Sequence, residues 1–353
     1  MQTESLELSF LSIFALICFF IFFIIQKASS IIGDGVLLDK DFEKPQAFHN
    51  EPTARIGGLA SVLSLMIFFI GYYLFFEKVL FEYLTISLAL FFLGFLDDIK
   101  VKITPNVRLI LMIVILSLSI IFFSIDIVHL DLNFLNIWFQ NKIFKTAFIL
   151  LCFLFIINGA NLVDGFNGLL GFQLIIINLI LFFISLDSSN TELTLLISGQ
   201  IVILFSFILF NFPKAKMFLG DSGSYLLGSL TVINVIKTNN LNPEISSFFF
   251  CVILFYLFFE VFFSFFRKLI FKKSPLKPDK LHLHMLLYNF MEKRKKFNDN
   301  NFITSVIINL SYSCLIFPAI LFKGNGIICR YWFFFLLIVY LVIYFRLYSF
   351  AKK

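Results

Sequence analysis

The side chains best suited to chemistry fall in five short polar stretches, each beside an apolar run. One, Gly94-Phe-Leu-Asp-Asp-Ile-Lys100, sets two adjacent carboxylates, Asp97 and Asp98, at the end of such a run. Carboxylates beside an apolar helix are costly unless they are used. They can hold or neighbour a divalent cation, or take a proton. Lys100, Lys102 and Arg108 follow closely and suit phosphate oxygens. A solvated helix end is the alternative. A second stretch, Asn211-Phe-Pro-Lys-Ala-Lys-Met-Phe-Leu-Gly-Asp-Ser-Gly-Ser224, places Asp221 between glycines where another apolar run opens. Such an Asp can cap a helix. It can also hold Mg²⁺, which takes one or two protein carboxylates and completes its shell with water and phosphates.

The third stretch is Asn158-Gly-Ala-Asn-Leu-Val-Asp-Gly-Phe-Asn-Gly168. Asn161, Asp164 and Asn167 recur every three residues, which predicts one face of a helical turn lining a ligand gap. The fourth, from Lys44 to Gly58, ends Arg55-Ile-Gly-Gly58. An Arg before a glycine pair that opens a helix favours an anion at the helix N-terminus. The fifth, Ser274-Pro-Leu-Lys-Pro-Asp-Lys-Leu-His-Leu-His-Met285, holds two of the four histidines. His282 and His284 are spaced wrongly for a shared zinc on one helix face, but either can bind phosphate. No Ser or Cys nucleophile stands beside a base. The five Cys lie inside apolar runs and read as packing residues.

These stretches need a frame. Of 353 residues, 60% are hydrophobic and 14% charged, with 54 Phe, against about 25% charged in soluble domains. Apolar runs of about 17–25 residues cross a bilayer as helices. The sequence predicts eleven spans, at 9–25, 59–76, 79–96, 108–125, 144–158, 169–186, 192–210, 222–237, 245–266, 304–322 and 329–348. The first lacks a small-residue cleavage site and reads as a retained span. There is no internal repeat, so 1–353 reads as one integral membrane domain, all-α and polytopic.

Eleven spans leave loops 26–58, 97–107, 159–168, 211–221 and 267–303 on one side with the C-terminus. All but six of the 28 Lys and Arg lie on that side; the exceptions are Lys78, Lys142, Lys145, Lys237, Lys323 and Arg330. Positive charge marks the cytoplasmic side. The net charge of +6 is mostly this asymmetry and does not point to nucleic acid. The run Lys293–Lys296 suits anionic lipid headgroups. Two acids lie within spans: Glu82 near an outer end, and Glu260, nearly two turns before Arg267 and on its face. For Glu260 an interhelical hydrogen bond and a functional role are both open.

The segments PTARIGG, LDDIK, NLVDGFNG, MFLGDSGS and PDKLHLHM, in that order from Lys44 to about Tyr288, resemble the polyprenyl-phosphate N-acetylhexosamine-1-phosphate transferases of bacterial envelope synthesis. The resemblance implies an inner-membrane enzyme that moves a sugar 1-phosphate from a UDP-sugar to undecaprenyl phosphate. UMP is the by-product. The resemblance further implies a Mg²⁺ requirement, with Mn²⁺ as a possible substitute, and a homodimer. It implies Asp97, Asp98 and Asp221 as catalytic residues, with Asp221 and Asp98 on the metal. It implies Lys44, Arg55, Lys100, Arg108, Asn161, Asp164, Asn167, Asn211, Phe218, His282 and His284 as substrate-binding residues, with Asn161, Asp164, Asn211 and Phe218 at the uridine. Two departures stand out: Asn167 replaces an Asp common in the family, and Met285 a His. The loop sequence resembles the branch that primes O-antigens, capsules or teichoic acids more than the branch that transfers a muramoyl-pentapeptide phosphate. A membrane transporter is the main alternative, but polar residues at span ends, and the absence of repeated halves, argue against it.

Overall fold

The computed structural model describes residues 2–29, 31, 37–39, 53–101, 103–294 and 299–352. Lys44 and Lys102 lie outside these residues. The chain is an all-α polytopic membrane protein. In order it forms α1 (Gln2–Lys27), a ribbon of β1 (Leu38–Asp39) and β2 (Thr53–Ala54), α2 (Gly57–Phe76), α3 (Phe81–Asp98), α4 (Pro105–Phe122) and α5 (Asn133–Trp138). Then come α6 (Lys142–Val163), α7 (Leu169–Asp187), α8 (Thr191–Asn211), α9 (Gly220–Leu241), α10 (Ser247–Ile253), α11 (Phe255–Ile270), α12 (Leu283–Arg294), α13 (Asn300–Leu321) and α14 (Gly326–Lys352).

Each of the eleven predicted segments is helical. Among the described residues, eight helices are long and apolar enough to cross a membrane, and α10 with α11 makes a ninth candidate. That pair corrects the straight span predicted over 245–266: it is bent by 77° at Leu254. The other two helices, α3 and α9, are long enough but carry acids and many hydroxyl and amide side chains. Local chemistry sets several helix starts. Thr104 accepts from the Val107 amide ahead of Pro105, Asn141 caps α6, Asn190 caps α8 and Asp299 caps α13.

Helix α9 is the hub. It packs on α3, α6, α2, α7 and α8, and nearly every residue from Gly220 to Asn239 is buried. Its neighbours turn their other faces outward, where Leu74, Phe92, Leu151, Phe183 and Leu209 are exposed, as expected for a lipid-facing surface. Unpaired polar groups are costly away from water, so the polar side chains of α9 pair with one another's neighbours. The Tyr83 hydroxyl donates to Asn234 (3.0 Å), Asn234 to Gln200 (2.8 Å), and Gln200 to Thr231 (2.8 Å). Asn178 on α7 also donates to Thr231, at 3.2 Å.

The start of α9 touches α3 backbone to side-chain position. A Cβ on Gly94 would sit 2.5 Å from the Asp221 carbonyl carbon and the Ser222 nitrogen. Gly94→Ala should therefore cost roughly 1–3 kcal/mol through overpacking. A clear fall in thermal midpoint in detergent is expected. Gly324→Ala, whose Cβ meets only the Glu244 carbonyl at 3.2 Å, should shift it little.

Candidate active site

The polar stretches meet at one end of the bundle, around the first turn of α9. That turn has no cap of its own, since Leu219 precedes it in helical conformation. Gly220 adopts φ +72°, which admits the tight entry and leaves room for a carboxylate that a Cβ would meet at 2.6 Å. The carboxylate is Asp98, from the end of α3. It accepts from the amides of Asp221 (3.0 Å) and Ser222 (2.9 Å) and from the Ser222 hydroxyl (2.6 Å). Asp98 is thus the cap of a helix 123 residues further on, and only 2% exposed. Burial and the nearby Asp221 push its carboxyl up to about 7, while the Ser222 donors and Arg55 hold it down.

Capping by Asp98 leaves its neighbours for other work. Arg108, at the start of α4, bridges Asp97 (2.9 Å) and Asp221 (2.5 Å) through one guanidinium nitrogen. Burial, then Asp221, pushes the Asp97 carboxyl up to about 6. Arg55 lies 4.0 Å from one oxygen of Asp98 and 4.0 Å from one of Asp221. Backbone bonds place Arg55: Ala54 accepts from the Phe218 amide (2.9 Å), and the Gly57 and Gly58 amides donate to Phe218 and Leu219. Those two amides are spent on carbonyls. The anion site predicted at the start of α2 therefore rests on Arg55 and not on these helix amides.

Beside this cluster lies a cleft of about 560 Å³. Arg55, Asn161, Asp164, Phe218, Asp221 and His284 all line it. Asp164 accepts from the Gly220 amide at 2.9 Å, and burial raises its carboxyl well above the usual range. The His284 ring packs edge-on against Phe166, and its Nδ1 faces the Tyr256 hydroxyl at 3.3 Å. Its buried Nε2 has no partner among the described residues. Burial pulls the His284 imidazole down to about 4, so it is neutral near pH 7.

Other predicted residues do not reach the cleft. Helix α6 ends at Val163, so the three-residue spacing stops being a face before Asn167. Asn167 instead donates to the Pro213 carbonyl, and its amide donates to Asn301, both at 2.8 Å. Asn211 is likewise consumed: it accepts from the Gly168 amide at 2.6 Å and donates to the Met217 carbonyl at 2.8 Å. His282 has one ring nitrogen 3.1 Å from Glu260 and the other 3.4 Å from Asp279, leaving none for substrate. Lys100 is exposed in the turn after α3, outside the cleft lining. Asp98, predicted as a metal ligand, is engaged by the α9 donors, and Asp97 is the carboxylate that shares Arg108 with Asp221. Sequence reasoning missed Ser222 and Tyr256. The seryl hydroxyl next to Asp221 was the available signal for the first; nothing local marked the second.

A divalent cation fits this arrangement in a limited way. Among the described residues, no three His, Cys, Asp or Glu side chains form a ready metal cage. Asp221 and Asp97 do converge on one cationic group, Arg108, and two carboxylates suffice for an ion that draws its other ligands from water and phosphates.

A family model, glycosyl transferase family 4, matches residues 80–239, from just before α3 to the far end of α9. The chain is 30% identical over 239 residues to a phospho-N-acetylmuramoyl-pentapeptide-transferase of Dictyoglomus turgidum, covering 63% of this chain and 74% of that one. The chain belongs to glycosyl transferase family 4. It is also 27% identical over 303 residues to the undecaprenyl-phosphate alpha-N-acetylglucosaminyl 1-phosphate transferase of Thermotoga maritima, covering 82% of each chain. A probable undecaprenyl-phosphate N-acetylglucosaminyl 1-phosphate transferase of Bacillus subtilis is 26% identical over 247 residues, covering 69% of this chain and 67% of that one. This glycosyl transferase is an enzyme, and the matches give the transporter alternative no support.

The geometry separates the two adjacent acids. Asp98→Asn turns an amide nitrogen or a weaker acceptor toward the α9 donors and should cost about 1–3 kcal/mol of stability. Asp97→Asn touches a half-exposed group and should leave the melting temperature nearly unchanged while impairing turnover. Thermal unfolding of both variants in one detergent makes the comparison.

Proposed function

We propose that this glycosyl transferase moves N-acetylhexosamine 1-phosphate from a UDP-sugar to undecaprenyl phosphate, releasing UMP. The reading is carried by the cleft at the bundle end, lined by Arg55, Asp221 and His284, with the Asp97–Arg108 pair adjoining Asp221. Both substrates are anionic, so their phosphates repel. Arg55 and Arg108 offset that repulsion. Asp221, with Asp97, would hold Mg²⁺, which supplies further charge neutralisation at the diphosphate. A lipid phosphate oxygen forms a bond to the sugar-bearing phosphorus as the bond to the UMP phosphate breaks. His284 faces the diphosphate, and Asn161, Asp164 and Phe218 bind the uridine, with the ring as a stacking face.

A single displacement is the simplest course, because each phosphate can reach the cleft and no protein nucleophile is required. The site opens to the cytoplasm of the inner membrane in this reading. Support comes from the excess of Lys and Arg on that side. At the other end, Lys145 pairs with Asp126 (2.8 Å), Lys323 with Asp187 (3.5 Å), Lys78 with Glu192 and Lys237 with Glu82. The product would prime an envelope polysaccharide such as an O-antigen, capsule or teichoic acid. The long match to the N-acetylglucosaminyl 1-phosphate transferase, and Met285 after His284, favour a simple N-acetylhexosamine donor.

Purified protein with undecaprenyl phosphate and Mg²⁺ should release UMP from a UDP-N-acetylhexosamine, and only when the lipid phosphate is present. The UDP-muramoyl-pentapeptide donor should give no lipid-linked product; turnover of that donor alone would place the chain in the other branch. Asp221→Asn should lower kcat at least ~100-fold. Radiolabelled phospho-sugar trapped on the protein without lipid phosphate would overturn the single displacement.

A further inference from the structure

Next to His284, on the cleft lining, lies a second buried polar cluster that the reaction above does not use. Glu260 on α11 is 1% exposed. One of its oxygens faces His282 Nδ1 at 3.1 Å, and the other accepts from the Leu283 amide at 3.1 Å. It therefore grips the backbone and ring immediately before His284. One turn earlier on α11, Tyr256 presents its hydroxyl to His284 Nδ1. The His282 and His284 rings stack at 5.7 Å, 9° from parallel. The far side of His282 meets Asp279, which Arg267 holds at 2.9 Å. Tyr340 on α14 also adjoins Glu260.

We infer that Glu260 is a positioning residue: through Leu283, His282 and Tyr256 it seats the His284 ring so that Nε2 faces the reacting phosphates. Three observations converge on this. A carboxylate buried this deep needs full compensation, and the two groups within hydrogen-bond distance of its oxygens, the His282 ring and the Leu283 amide, immediately precede His284. The His284 ring is held at Nδ1, by stacking against His282 and by an edge-on contact with Phe166. Its remaining nitrogen is buried and has no partner among the described residues, and His284 lines the cleft. A neutral imidazole has one donor and one acceptor nitrogen, and the group at Nδ1 sets which role Nε2 takes. The Tyr256 hydroxyl is that group.

The inference rests on the transferase reading, and a double-variant cycle separates the two. Glu260→Gln keeps an acceptor for Leu283 but loses the charge. Its kcat should fall roughly 10- to 100-fold, the size seen when a group orienting a functional histidine is lost. UMP affinity should hold, because the uridine residues lie elsewhere in the cleft. In a His284→Ala background, Glu260→Gln should cost nothing further. Tyr256→Phe removes one hydroxyl with little risk to folding and should follow the same pattern. Wild-type kcat in both variants, or penalties that multiply in the double variants, would overturn the assignment. Carbethoxylation of His284, mapped by mass spectrometry, needs no activity. It should speed up in Glu260→Gln as the ring leaves its seat. An unchanged rate would overturn the positioning role even if the wild type proved to lack lipid-phosphate-dependent UMP release, the result that would instead defeat the transferase reading.

Discussion

The free amides at the start of α9 have to be satisfied where little water reaches, and two carboxylates from distant parts of the chain, Asp164 and above all Asp98, do so. A helix start leaves four amides without internal partners and carries partial positive charge. Asp98 answers both, taking two amides and a hydroxyl of that turn. The bond also has a geometric effect. It pins the last turn of α3 to the first turn of α9, so the residues next to each partner, Asp97 and Asp221, must be neighbours. Gly94 makes the approach close enough, and Arg108 keeps the two charges from separating.

Two further restraints complete the mouth of the cleft, and both are backbone-based. The β2 strand lies along residues 217–219, so Arg55 is carried to the aspartates by hydrogen bonds that depend little on side-chain type. On the opposite wall, the loop after α11 is tied back to its own helix. Lys268 donates to the carbonyls of Pro275 (3.1 Å) and Lys277 (2.7 Å), and Arg267 holds Asp279. A basic segment that reads as a long solvated loop is thus a strap folded onto the bundle.

The helices were legible because lipid exposure demands long apolar runs, and the run ends marked where polar residues would collect. Arg55, Asn161, Asp164, Phe218, Asp221 and His284 do collect, as their order in the chain suggested. What could not be read was the use of each polar group. Asn167 and Asn211 have the types and spacing of ligand-binding residues, yet their side chains are turned to backbone groups, Pro213 for the first and Gly168 and Met217 for the second. Asp98 was read as a metal ligand because its actual partner is a helix start remote in sequence. Glu260 stayed ambiguous for the same reason: its partners, His282 and the Leu283 amide, arrive only when the strap folds back. The bend at Leu254 had no Pro or Gly to announce it.

The polarity of α9 bears on how the protein is made. Its two ends and its middle carry hydroxyls and amides on every side, and it is not among the helices apolar enough to enter a bilayer by composition alone. It is nevertheless the most enclosed element of the bundle. Presented singly to lipid, such a segment would tend to remain at the aqueous interface. The helices that receive it, α2, α3, α6, α7 and α8, all precede it in the chain and emerge from the ribosome first. Insertion of α9 is then a packing event, in which Gln200, Asn178 and Tyr83 already wait in the membrane for Thr231 and Asn234. The order of translation is thereby part of what lets a polar helix become the core of a membrane enzyme.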